Sequence, residues 1–339
     1  MRSVLTRLQP FHVAVLAWVV AFVTYSVQVG LPTKRSNVLV WMILAILALG
    51  VARPRRTLRA LLVDWSPMIV ALVAYDLLRG LSDNATRVAH TWPHLDLDEW
   101  LGAGQSLSVR LQDLFHTPGQ VTWFDYPVWA VYTSHFLVPL GIAVALWAMG
   151  SMRFRPYLYG LTLLSWFALA TYYLYPAQPP WMTAKLAGND DVARIVHGMW
   201  KEVGIDRAAR VWEPSTKVSG SKYSNPVAAL PSLHAAFPFF IFISMLGIRR
   251  WLSVLLGTYA AAMGFVLIYA GEHFLFDILL GWAFAALAAW LMAVAFRHFR
   301  GTPAAAPELD ADDDFPDDPS PGPGPQRQPL TSAAASRVP

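Results

Sequence analysis

Two histidines, an aspartate and an arginine are the residues of this 339-residue chain whose types and spacing suit chemistry at a phosphate ester. The first group is Leu230-Pro231-Ser232-Leu233-His234. Pro231 suits the first turn of a helix, where a missing N–H costs nothing. Ser232 and His234 would then sit beside free backbone N–H groups and the positive end of the helix dipole, a natural anion site. The plainer reading is a helix cap with an interfacial histidine. The second group is Gly271-Glu272-His273-Phe274-Leu275-Phe276-Asp277. His273 and Asp277 are four apart and are expected to share one helix face. A carboxylate on one imidazole nitrogen fixes the tautomer and leaves the other nitrogen as base or nucleophile. The alternative is a local pair without chemistry, yet an aspartate one turn inside an apolar helix needs a partner. The third group is Tyr75-Asp76-Leu77-Leu78-Arg79-Gly80. Arg79 would clamp a phosphate through its planar fork, or simply snorkel to the membrane interface.

The elements that must position these groups are membrane helices. The chain is 55% hydrophobic and only 14% charged, against about 25% charged in average globular domains. A span needs about 20 mostly apolar residues, and eight runs qualify: Phe11–Val29, Asn37–Ala52, Leu61–Gly80, Pro127–Gly150, Tyr157–Tyr175, Pro231–Ile248, Trp251–Ala270 and His273–Phe296. The second is short and the eighth opens on polar residues. Backbone groups must be satisfied internally in lipid, so the expected fold is an all-α transmembrane bundle of about eight spans. The first run is long and lacks a small-residue cleavage site, which reads as a span rather than a cleaved signal.

Charge orients the bundle. Arg2 and Arg7, the cluster Arg53, Arg55, Arg56 and Arg59, then Arg153 and Arg155, Arg249 and Arg250, and Arg297 and Arg300 fall at every second junction, with only Lys34 and Arg35 dissenting. The positive-inside rule makes that side cytoplasmic and places both termini inside. The three polar groups then meet at the opposite, extracytoplasmic face. Two long loops, about residues 81–126 and 176–230, lie there too. Leu95–Phe115 reads as an interfacial amphipathic helix, or a loop helix packed on the bundle, with Trp100, Leu101, Leu107, Leu111 and Leu114 at roughly helical spacing.

Residues 1–60 form N-terminal transmembrane helices, 61–300 a catalytic membrane domain, and 301–339 a Pro-rich acidic tail expected to be disordered and cytoplasmic. The tail nets −5, so residues 1–300 carry +9, which suits anionic headgroups and phosphate esters. Cations scattered between apolar spans disfavour nucleic acid. There is no cysteine, which excludes disulfides and thiolate metal sites. His234, His273 and Asp277 would also offer three ligands to a metal, but the helix N-terminus and the arginine favour an anion, and no cofactor is expected. HExxH and GxSxG are absent, as are phosphate-loop and dinucleotide fingerprints.

Ser232 and His234 in Pro-Ser-Leu-His, followed by His273-x-x-x-Asp277, resemble the second and third signature motifs of the type 2 phosphatidic acid phosphatase superfamily. The closer resemblance is to its inositol phosphorylceramide synthase-like branch, where the leucine variant is usual and a Tyr-Pro-x-x-Pro-Pro-Trp segment precedes it. Here that segment is Tyr175-Pro176-Ala177-Gln178-Pro179-Pro180-Trp181, and Ser134-His135-Phe136 and Tyr75–Gly80 also look like that branch. The likeness covers about residues 61–296. It departs where the phosphatases carry an arginine six residues before the last histidine, a position held here by Leu267, and where their Lys-x6-Arg-Pro motif has no match. Candidate phosphate-binding groups are therefore Arg79, Ser232 and Lys222, with Lys217 as a further cation. The resemblance implies a six-helix phosphatase-type core. It also implies that His273 attacks phosphorus, Asp277 orients it, and His234 protonates the leaving alcohol. The expected activity is an inositol phosphate-like head-group transfer between lipid-linked phosphate esters and a hydroxyl acceptor at the plasma membrane. A lipid or polyprenyl phosphate phosphatase and a non-catalytic transporter or lipid-binding protein are the alternatives.

Overall fold

The computed structural model describes residues 10–32, 35–82, 89–186, 192–203 and 228–298. Among them the chain is helical, with bridges of single β type only at His90–Ala177 and Ala177–Ala228. The helices are α1 (Pro10–Gln28), α2 (Arg35–Leu49), α3 (Pro54–Val63), α4 (Ser66–Ser82), α5 (His94–Leu101), α6 (Leu107–Phe115), α7 (Asp125–Ser134), α8 (Val138–Ala148), α9 (Phe154–Leu174), α10 (Pro180–Leu186), α11 (Ile195–Glu202), α12 (Leu233–Ser244), α13 (Arg250–Tyr269) and α14 (Leu275–His298).

Each of the eight apolar runs forms a helix or a bent pair of helices. The third run takes in the last three residues of α3 and most of α4, a pair bent by 51°, so the basic junction Arg55–Arg59 is helical, and the fourth is α7 and α8, bent by 49°. Pro139, at the start of α8, suits such a break, because proline is best tolerated in a helix's first turn, where its missing N–H costs nothing. By length and composition three helices, α1, α13 and α14, are able to cross a membrane, and five if each bent pair is one span. The helices α2 and α12 are apolar but shorter, and α9 runs 21 residues. The chain is a multi-pass membrane protein with an all-α bundle.

The core explains which helices are central. One apolar cluster joins Trp65 just before α4 and Met68 within it, Leu158, Leu161 and Leu164 of α9, Phe240 and Ile241 of α12, and Ala285 and Ala288 of α14. Met42 and Ile46 of α2 pack into the same cluster. A second cluster joins Tyr132 of α7, Trp200 of α11, Met263 and Leu267 of α13, and Ile278 of α14. Lipid-facing flanks of α1 stay exposed, with Leu16 and Val20 more than half accessible, as expected of a helix solvated by acyl chains.

The single interfacial helix expected over Leu95–Phe115 is not formed. The chain breaks into α5 and α6 at Gly102–Ser106, where Ala103 and Gly104 take positive φ and Ser106 caps α6 by accepting from Val109 N–H. The presumed common face is divided accordingly. Leu107 and Leu111 pack against the second core cluster, while Trp100 and Leu114 are exposed. Period alone could not register the turn that positive φ imposes. The acidic tail lies outside the described residues.

Candidate active site

The histidines meet. The imidazole centroids of His234 and His273 lie 5.9 Å apart, although the residues come from different helix starts. His273 and Ser232 are buried, Asp277 is fully so, and His234 is partly accessible.

Local geometry differs from the spacing argument at two points. Pro231 does not occupy the first turn of α12, because Ser232 is the N-cap and its hydroxyl accepts from Ala235 N–H at 3.2 Å. His273 and Asp277 do not share a helix face either, since α14 begins only at Leu275. The Asp277 carboxylate instead folds back over the helix start. Its Oδ2 accepts from Phe274 N–H at 3.0 Å and stands 3.4 Å from His273 Nδ1. This is the return half of a capping box, with the imidazole brought alongside.

Backbone contacts join the two helix starts. Ser232 N–H donates to the carbonyl of Asp277 at 3.0 Å. A Cβ on Gly281 would lie 2.5 Å from the Ser232 carbonyl oxygen, so only glycine permits α14 to approach α12 this closely. Tyr172 of α9 donates its hydroxyl to the Pro231 carbonyl at 2.8 Å, holding the approach to α12.

The segment Tyr175–Trp181 acts as a strut between the loops. Its Ala177 bridges to both His90 and Ala228, Ala229 N–H donates to the Ala177 carbonyl, and Trp181 N–H donates to the Gly271 carbonyl. Tyr175 stacks on His90 and donates its hydroxyl to the Trp92 carbonyl. Prolines leave this stretch few N–H donors; Gln178 N–H goes to the His90 carbonyl and Trp181 N–H to that of Gly271, two residues before His273.

Of the residues around the histidines, Asp98, His94 and Tyr132 went unnoticed in the sequence. Asp98 of α5 is fully buried and caps two helices, accepting from Leu275 N–H of α14 at 2.9 Å and from Leu107 N–H of α6 at 3.2 Å. Burial pushes its carboxyl up to about 6 despite those two hydrogen bonds, and the nearby charge of Asp277 pushes the same way. His94, one turn before it, is buried against Phe274, and burial lowers its pKa although Asp277 pulls it upward. His94-x-x-x-Asp98 repeats the spacing of His273-x-x-x-Asp277, the signal that would have exposed it. Around His234 stand His135, with ring centroids 3.9 Å apart, and Tyr132, at 4.7 Å. Both come from α7 and its break.

The expected cations fall outside what the structure describes. Arg79 belongs to α4, but side chains from Asp76 to Ser82 lie outside the described residues, as do Lys217 and Lys222 entirely. A different cation is present: Arg194 lines a pocket with Tyr132, Val196, His197, Trp200 and Glu272. Among the described residues no group of three or more His, Asp or Glu side chains is arranged to hold a metal ion.

This geometry was compared with known proteins. The family model described as PAP2 superfamily matches residues 95–291, more than half of the chain. The chain belongs to the PAP2 superfamily. A curated relative, the phosphoinositol dihydroceramide synthase of Bacteroides thetaiotaomicron, is 32% identical over 127 residues, which is 36% of this chain and 39% of that protein. The chain thus spans well under half the length of the curated relative it matches. No solved structure matches it. The PAP2 match begins within α5 and ends within α14, so it takes in Asp98, His135, Arg194, His234, His273 and Asp277. It leaves α1 to α4 outside, including Arg79.

Proposed function

We propose that the protein is a membrane phosphotransferase that moves an inositol phosphate-like head group between lipid-linked phosphate esters and a hydroxyl acceptor through a phosphohistidine. The observation that carries this reading is the 5.9 Å approach of His234 and His273 with Asp277 Oδ2 against His273 Nδ1. Membership of the PAP2 superfamily and the name of the similar synthase support the substrate class.

In this reading Asp277 holds a proton on His273 Nδ1 and leaves Nε2 free to attack phosphorus. The bond to the leaving alcohol breaks as His234, acting as general acid, supplies that oxygen's proton. Asp277 balances the positive charge on the phosphorylated ring. In the second half-reaction His234 takes the proton of the incoming hydroxyl, whose oxygen displaces His273 from phosphorus. Water in place of that alcohol makes the same site a lipid phosphatase. Ser232 helps by capping α12, whose dipole faces the developing negative charge. Residues 61–300 constitute the catalytic domain, facing the extracytoplasmic side of the plasma membrane with both termini cytoplasmic.

The test incubates the purified full-length protein with a panel of labelled lipid phosphates, with and without inositol or sugar acceptors. Acceptor-dependent transfer is expected, with acid-labile label trapped on the protein and both lost in His273→Ala. Phosphate release without acceptor identifies the phosphatase instead. Turnover that survives His273→Ala sinks the covalent mechanism.

A further inference from the structure

A histidine nucleophile facing a phosphate ester needs a cation, because the transferring group carries negative charge on its equatorial oxygens. The position six residues before the last histidine, which would supply it by resemblance, is Leu267, fully buried in the apolar core. The cation must come from another element.

Arg194 immediately precedes α11 and stands in the pocket wall beside Tyr132 and Glu272. The pocket shares the Tyr132 ring with the His234 stack, and Glu272 is the residue before His273, which ties the pocket to the elements that carry both imidazoles. The guanidinium is mostly buried, at 18% side-chain exposure. The Trp181 ring faces its Cζ at 4.1 Å from the centroid, a cation–π contact. Glu272 Oε1 takes one N–H, from Nη2, at a long 3.4 Å. Arg194 Nε is buried and has no hydrogen-bond partner among the described residues.

That last fact sets Arg194 apart from a structural ion pair. A guanidinium presents five N–H donors in a rigid fork. Burying it with one weak partner is costly, and such under-satisfied groups call for a missing acceptor. The Asp64–Arg155 pair at the other end of the bundle closes instead at 2.9 Å with Nε engaged. The arrangement around Arg194 fixes the position of a cation and leaves most of its donors uncommitted.

Building on the phosphotransfer reading, we infer that Arg194 is the phosphate-binding cation of this site, oriented by the carboxylate of Glu272 and the face of Trp181. Its ligand class is a phosphate mono- or diester, free or on a lipid headgroup. Trp181 terminates the Tyr-Pro-x-x-Pro-Pro-Trp segment, which gives that strut a role in catalysis: it holds the ring on which the cation rests. Glu272 and Gly271 bring the arginine's partner to the nucleophile in consecutive residues. Gly271 takes φ +71°, and a Cβ there would meet Val192 at 2.6 Å, so the turn before His273 packs directly on the segment carrying Arg194.

The test uses the purified full-length protein in detergent. Thermal unfolding is followed with inorganic phosphate and, in a second arm, with short-chain phosphatidic acid; turnover is measured on the best lipid donor. Both ligands are expected to raise the wild-type melting temperature. Arg194→Gln should abolish both shifts and lower kcat/KM by about 100-fold or more. Arg194→Lys keeps the charge but loses the fork, and should recover part of that loss. Glu272→Gln retains an oxygen facing Nη2 and should cost less than Glu272→Ala. A ligand-induced shift that survives Arg194→Gln overturns the inference, as does a wild type that binds neither ligand. Should Arg194→Gln fail to fold, a kcat/KM of Arg194→Lys equal to wild type overturns it just as well. The His273→Ala variant separates the two readings: it should bind phosphate through Arg194 while turning nothing over. Absence of wild-type turnover on every donor ends the phosphotransfer reading and leaves the Arg194-dependent shift to stand or fall alone.

Discussion

The two ends of α12 are built on different principles. At its start Ser232 donates a backbone N–H to Asp277, Gly281 lets the helices touch, and Asp98 caps α14 from a loop helix. At its finish, 12 residues on and so about 18 Å away, Arg153 donates to the Ser244 carbonyl at 2.7 Å and Arg155 pairs with Asp64 at 2.9 Å. The first end buries polar groups with partial satisfaction: Asp277 Oδ1 and His94 Nδ1 have no hydrogen-bond partner among the described residues, and His273 Nδ1 has only the Asp277 carboxylate at 3.4 Å. The second is a directly closed ion pair. The two ends of one helix thus carry different polar structure, a closed ion pair beside the basic end and the buried histidine–aspartate cluster at the other. Buried polar atoms without a partner call for an explanation, and a ligand-binding role is one.

The comparison predicts very different penalties. The largest is at His273, the proposed nucleophile: His273→Ala should lower kcat by at least about 1,000-fold while leaving the melting temperature near wild type, because the proposed role is chemical. Gly281→Ala should come next. Its methyl group collides with backbone at 2.5 Å, so α12 and its His234 must shift relative to His273. A displacement approaching 1 Å costs on the order of 100-fold in kcat, with a stability loss of about 1–3 kcal/mol from overpacking; a variant with wild-type kcat breaks the claim that this contact sets the site.

Asp98→Asn is the intermediate case and carries a pH signature. Its folded pKa is raised from 3.8 to about 6. Between those values the folded chain keeps a proton that the unfolded chain releases, so this group's stabilisation is complete below about pH 4 and is lost as pH rises through 6. The asparagine should flatten the pH dependence of the melting temperature across that window. It keeps one acceptor where the carboxylate offers two, and one helix cap is weakened by about 1 kcal/mol. A pH profile of stability unchanged by the substitution would show that Asp98 is not the buried acid described. The smallest effect belongs to the basic end: Arg155→Ala should cost about 1–2 kcal/mol by unpairing Asp64 and leave kcat unchanged. Measured loss of turnover there would erase the distinction between the two ends.

The local sequence determined what periodicity, charge and motif spacing encode. All eight apolar runs are helical because each is long, apolar and bounded by polar or proline residues, and lipid permits little else. His234, His273 and Asp277 were legible because Pro-Ser-Leu-His and His-x-x-x-Asp are short, contiguous patterns. Tertiary structure decided the rest. The turn at Gly102–Ser106 that splits α5 from α6 depends on positive φ values that hydrophobic spacing does not register. Asp277 reaches His273 by folding back over the start of α14, a capping geometry rather than a helix-face one. Asp98, 177 residues before its partner Leu275, and Arg194, 78 before Glu272, are ordinary loop charges until the chain closes around them. Pattern records neighbours along the chain, whereas desolvation and hydrogen-bond satisfaction depend on neighbours in space, and a buried charge acquires its role only from the latter.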